Sequence, residues 1–82
     1  MSDEVAKFIL PKVMTEIREA LGLTKVEMSK KAGISRQSIT YYESGKTFPN
    51  LESTGKWLNA VTKEIRKLRR KAAKVEQLQK IG

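Results

Sequence analysis

Thr24-Lys25-Val26-Glu27-Met28-Ser29-Lys30-Lys31-Ala32-Gly33-Ile34-Ser35-Arg36-Gln37-Ser38-Ile39-Thr40-Tyr41-Tyr42-Glu43-Ser44-Gly45 is the stretch that decides the fold. Thr24 and Glu27 stand at the spacing of a capping box, in which the hydroxyl accepts from an early helical N–H and the carboxylate reaches back to the cap. This predicts a short helix from about Lys25 to Ala32, which Gly33 ends. Ser35 is an N-cap for a second helix from about Arg36 to Glu43, stopping near Ser44 and Gly45, where glycine tolerates the left-handed geometry of a helix end. Between the helices, Ala32, Gly33 and Ile34 are small, permissive and apolar, so the helices can meet at a steep angle and bury Ile34. Ile39 points back toward the core. Arg36, Gln37, Thr40 and Tyr41 share the outward, polar side of the second helix.

Upstream, Pro11 suits the first turn of a helix, where its missing N–H costs nothing. Val13, Met14, Ile17, Ala20 and Leu21 then recur at helical spacing until Gly22. The first helix is predicted from about Pro11 to Leu21, or from an earlier turn begun at Ser2 or Asp3. Residues 1–10 are read as an N-terminal extension whose Val5, Phe8, Ile9 and Leu10 cover the core or a partner. Downstream, Phe48, Pro49 and Asn50 read as a loop closing on the cap Asn50. A fourth helix follows from about Leu51, with Trp57, Leu58 and Val61 as its apolar positions. The helix-bearing domain is placed at residues 11–61, and residues 62–82 form a basic tail without Gly or Pro until the last residue, hence helical. The architecture expected is all-α: four short helices and a long basic C-terminal one.

The chain has 82 residues, no cysteine and no histidine. Thiol nucleophiles, imidazole bases, serine–histidine triads and zinc-finger ligand sets are thereby excluded, and no glycine-rich phosphate loop accompanies the carboxylates and lysines. No catalytic residue, metal site or cofactor is expected. The formal charge is +8, and six of those charges come from the segment Lys63–Lys80, where eight Lys and Arg face only Glu64 and Glu76. So basic a small chain points to a polyanionic partner. The apolar stretch Val5–Leu10 is broken by Lys7 and is too short for a membrane span or a signal peptide, so a cytoplasmic location is expected.

Two short helices joined by a tight glycine-containing turn match the DNA-binding helix-turn-helix arrangement, in which the first helix crosses the phosphate backbone and the second enters the major groove. The run Leu21-Gly22-Leu23-Thr24, the turn Ala32-Gly33-Ile34-Ser35, the corner Tyr42-Glu43-Ser44-Gly45-Lys46 and Pro49 together resemble the Xre/Cro family of phage and plasmid repressors, from about Ile17 to Val61. The resemblance implies a lambda-repressor-like domain. It assigns Arg36, Gln37, Thr40 and Tyr41 to base edges, with Arg36 forking onto guanine and Gln37 onto adenine. It also makes Arg18 and Glu43 an internal ion pair. Where the family usually carries leucines this chain has Thr54 and Gly55, and it has Leu58 where an alanine is usual, so Trp57 must fill the space differently.

Phosphate contacts are expected from helix N-termini and nearby cations. The candidates are Thr24 and Lys25, Ser35 and Ser38, then Ser44, Lys46, Thr47 and Asn50. In the tail, Val61, Ile65, Leu68, Ala72 and Val75 alternate at spacings of four and three, the seam of a short coiled coil. Glu64 and Lys71 then flank it on one side, with Arg69 and Glu76 on the other. The stripe either joins two copies, parallel or antiparallel, or lies on its own domain. The function expected is a small dimeric repressor on a palindromic operator in double-stranded DNA. The alternatives are an antitoxin that binds a toxin and its own operator, and a general nucleic-acid-bridging factor. A protein partner such as a toxin or antirepressor fits the first two, and none of the readings needs a membrane.

Overall fold

A computed structural model describes residues 3–81, with side chains described for residues 9–75. The order is α1 (Asp3–Ala20), α2 (Lys25–Ala32), α3 (Arg36–Ser44) and α4 (Leu51–Ile81), with no strand among the described residues. The fold is all-α.

Local chemistry sets most of these boundaries. Both halves of the capping box at the start of α2 are made: Glu27 N–H donates to Thr24 Oγ1 at 3.1 Å, and Thr24 N–H donates to Glu27 Oε1 at 3.0 Å. Gly33 closes α2 at φ 69°, where its N–H donates to the Ser29 carbonyl. The Ser29 hydroxyl in turn donates to Ile34 O at 2.6 Å, which ties the turn to the helix it leaves. Ser35 caps α3 by accepting from Ser38 N–H at 3.1 Å. Asn50 Oδ1 caps α4 by accepting from Ser53 N–H at 2.8 Å.

Two of the expected divisions, between residues 10 and 11 and between residues 61 and 62, are not breaks in the structure, although a start of α1 at Asp3 is one of the two expected. α1 starts at Asp3, so residues 3–10 are its first turns and Pro11 lies inside it. Proline has a helical φ, but inside a helix it removes one ladder hydrogen bond and crowds the preceding turn; its ring lies toward Gly45. A Cβ added at Gly45, beyond α3, would stand 3.5 Å from Pro11 Cγ. The second difference is at the C-terminal end. The expected fourth helix and the tail are one helix of 31 residues, roughly 46 Å at 1.5 Å per residue. Nothing between Val61 and Lys63 caps or breaks it.

The core is formed by Met14, Leu23, Met28, Ala32, Ile34, Ile39, Trp57, Ala60 and Val61, with Leu10, Ile17, Leu21 and Tyr42 packed partly against it. Met28 and Ile39 are fully enclosed. Val13 and Leu58, expected as apolar positions of their helices, are largely outside, Leu58 being 52% exposed. Leu58 lies about 100° round the helix from Trp57, just outside the arc that Trp57, Ala60 and Val61 turn inward. Ile9 is exposed while Leu10 packs on the core. The expectation for the side chains of Val5 and Phe8 lies outside the described residues.

Candidate nucleic-acid interface

The geometry rests on what holds α2 and α3 together. Ala32 and Ile34 from the turn, Met28 from α2 and Ile39 from α3 are all buried. With its apolar side spent inward, α3 turns a polar side out. Arg36 and Gln37 are exposed on its first turn, and Thr40 and Tyr41 follow, half-buried, one turn later. Gln37 Nε2 donates to Tyr41 Oη at 2.9 Å. The Lys46 ammonium lies over the Tyr41 ring, 4.4 Å from its centroid. This three-residue cluster was not read from the sequence, although the four-residue spacing of Gln37 and Tyr41 places them as helical neighbours.

The candidate phosphate contacts fall at the helix ends, and most of their polar atoms already have partners. Thr24, Ser35 and Asn50 are engaged as caps. The Ser35 hydroxyl also donates to Ser38 Oγ at 2.9 Å. Ser44 Oγ donates to Tyr41 O at 3.1 Å. Lys25 is half-buried, whereas Lys46 and Thr47 are exposed. Glu27 adds a carboxylate to the first turn of α2. Hydrogen bonds from the Thr24 backbone and side chain hold that carboxyl below its ordinary value, so it stays ionised beside the same N-terminus.

α3 is fastened to α1 by a buried polar network. Arg18 Nε donates to Glu43 Oε2 at 2.8 Å and Arg18 Nη2 to Glu43 Oε1 at 3.0 Å. The third arm, Nη1, donates to Leu23 O at 2.8 Å, and Thr15 Oγ1 donates to Glu43 Oε1 at 3.1 Å. The bond to Glu43 raises the Arg18 pKa. The two side chains are only 10% and 5% exposed. Arg18 and Glu43 therefore position α3 and are not open to a ligand.

At the far end, Val61 belongs to the domain core at 7% exposure and does not take part in an outward seam. The seam residues that remain outside are Ile65, Leu68, Ala72 and Val75. Glu64, expected to flank that seam, instead accepts from Lys31 of α2 at 2.9 Å and from Lys67 at 3.3 Å. These bonds lower the Glu64 pKa, and the Glu64 carboxylate raises that of Lys31. No sequence signal pointed to this link, because Lys31 and Glu64 lie in different helices. The Glu76 side chain lies outside the described residues. Among the described residues, no helix is long and apolar enough to cross a membrane.

A capped helix, a glycine turn and a second helix with its polar face turned out define a helix-turn-helix DNA-binding domain. The helix-turn-helix family model matches residues 14–61, more than half of the chain. The chain belongs to this Xre/Cro-like helix-turn-helix family and is a DNA-binding regulator. Neither the search of curated proteins nor that of solved structures returned a match.

Proposed function

We propose that this chain is a dimeric transcriptional repressor that reads a palindromic operator through α3. The observation carrying the proposal is the first turn of α3, where Arg36 and Gln37 stand exposed on a helix whose opposite side is buried through Ile39. Arg36 and Gln37 have the donors and acceptors for bidentate contacts to purine edges in the major groove, and Thr40 and Tyr41 follow on the same side. Thr24, Lys25, Ser35, Ser38, Ser44, Lys46, Thr47 and Asn50, at the helix ends and the corner after α3, supply the contacts that hold register on the phosphates. The exposed Ile65, Leu68, Ala72 and Val75 join two copies, so that half-sites lie about 10 base pairs apart, one helical turn. Occupying such a site excludes polymerase.

Selection from random duplexes at about 150 mM salt, where non-specific phosphate binding weakens, tests this reading. The expected result is an enriched palindrome in which Arg36→Ala and Gln37→Ala each erase the preference at particular bases. An unenriched pool, with both variants behaving like the parent protein, would overturn it.

A further inference from the structure

We infer that the Tyr41 hydroxyl sets which base Gln37 reads, and that it does so by holding the Gln37 amide in one orientation. This rests on the groove-reading role proposed for α3. An unrestrained glutamine amide offers an oxygen acceptor and two N–H donors and can turn either way. In the structure Nε2 donates one hydrogen to Tyr41 Oη at 2.9 Å. The ring carrying that hydroxyl is itself pinned, at one face, by the Lys46 ammonium 4.4 Å from the centroid. One N–H and the Oε1 acceptor are left free at the exposed tip of Gln37.

That remaining pair is complementary to adenine, which presents the N7 acceptor and the N6 donor in the major groove. Guanine presents two acceptors, O6 and N7. To satisfy both, Gln37 would need both hydrogens of Nε2, and one is already committed to Tyr41. A phenolic hydroxyl can also donate; with its own hydrogen turned to water or a phosphate oxygen, the Tyr41 hydroxyl is the acceptor for Nε2. The tyrosine then acts as a positioning residue for specificity that favours adenine by withholding the second donor guanine requires. Lys46 contributes through the ring, apart from any contact of its own with phosphate.

The test is selection followed by binding to duplexes differing only by adenine or guanine at one position, with the parent protein, Gln37→Ala and Tyr41→Phe. Phenylalanine keeps the ring and the Lys46 contact and removes only the hydroxyl. The expected result is adenine in the parent motif at the position whose preference Gln37→Ala abolishes. In Tyr41→Phe the adenine-to-guanine ratio at that position falls about tenfold, within the range a bidentate contact supplies, while the other positions keep their bases. The inference is overturned by an unchanged ratio in Tyr41→Phe, or by guanine at that position in the parent. Affinity lost equally on every sequence also overturns it, because that marks a phosphate contact. Absence of any motif in the parent protein defeats the operator-reading proposal itself, whereas the three preceding results leave that proposal standing.

Discussion

Arg18 shows how one side chain can organise an interface that it does not enter. Its guanidinium spends two arms on Glu43 and the third on the carbonyl of Leu23, so α1, α3 and the turn before α2 meet on a single group. Taking two charges out of water is costly, and such a pair is no better than a well-packed apolar replacement unless its geometry is complete. Removing only one partner is worse than either arrangement, because the other charge is left buried. Arg18→Ala is expected to cost about 3 kcal/mol or more, in line with other buried pairs broken on one side. The double variant Arg18→Met with Glu43→Leu should recover most of that loss. Urea denaturation of the three proteins measures both quantities, and a double variant no better than Arg18→Ala would contradict the account. Trp57 carries the opposite kind of balance. Its indole Nε1 is buried without a hydrogen-bond partner among the described residues, so the apolar area that the ring buries from α4 outweighs a desolvated donor.

At the scale of elements, what could be read from the sequence is what neighbours in sequence decide. The caps at Thr24, Ser35 and Asn50 and the stop at Gly33 depend on residues within a few positions, and the helix-turn-helix follows from them. The start of α1 was obscured because Pro11 is a favourable first-turn residue and a tolerated interior one. What distinguishes the two is the stretch of helix that precedes Pro11 from Asp3. The division between helix 4 and the tail was placed where composition changes, but a run of lysines and arginines is no helix break. Glycine separates the two kinds of information cleanly. At Gly33, φ is +69° and nothing lies within 4 Å of an added Cβ, so Gly33→Ala is expected to destabilise through the backbone alone, by about 1–2 kcal/mol. Gly55 sits in the interior of α4 with equally open space round it. There Ala restores helix propensity, and Gly55→Ala is expected to gain up to about 1 kcal/mol. Thermal unfolding of the two variants should move in opposite directions, and a shift of the same sign in both would refute the assignment.

Over the whole molecule, α2 and α4 are joined by the Lys31–Glu64–Lys67 cluster, a contact between positions far apart in sequence and therefore hidden from any local pattern. Its energetics depend on pH. The Glu64 carboxyl titrates below its ordinary 4.5 in the folded chain, so the bridge contributes fully above that value and is lost as pH falls through the lowered one. For Lys31 the sign is reversed: its pKa is raised above 10.5, so its contribution is complete below that value and disappears as pH rises through the raised one. Stability of the parent protein should therefore decline on acidification below about pH 4.5 more steeply than that of Glu64→Gln. Denaturation curves at a series of acidic pH values compare the two slopes directly, and parallel slopes would show that Glu64 is not responsible.

A helix that leaves its domain without a joint, and is bolted to a neighbour just before it does so, is a lever of fixed phase. In the proposed dimer, each residue added to α4 beyond Ile65 would rotate everything after it by about 100° and advance it by about 1.5 Å. One inserted residue would swing Leu68 and Val75 away from the mating side. Seven inserted residues would return them close to it, some 10 Å farther along. In that proposed dimer the length of the basic helix would work as a ruler, its residue count setting the distance at which the second half-site must lie.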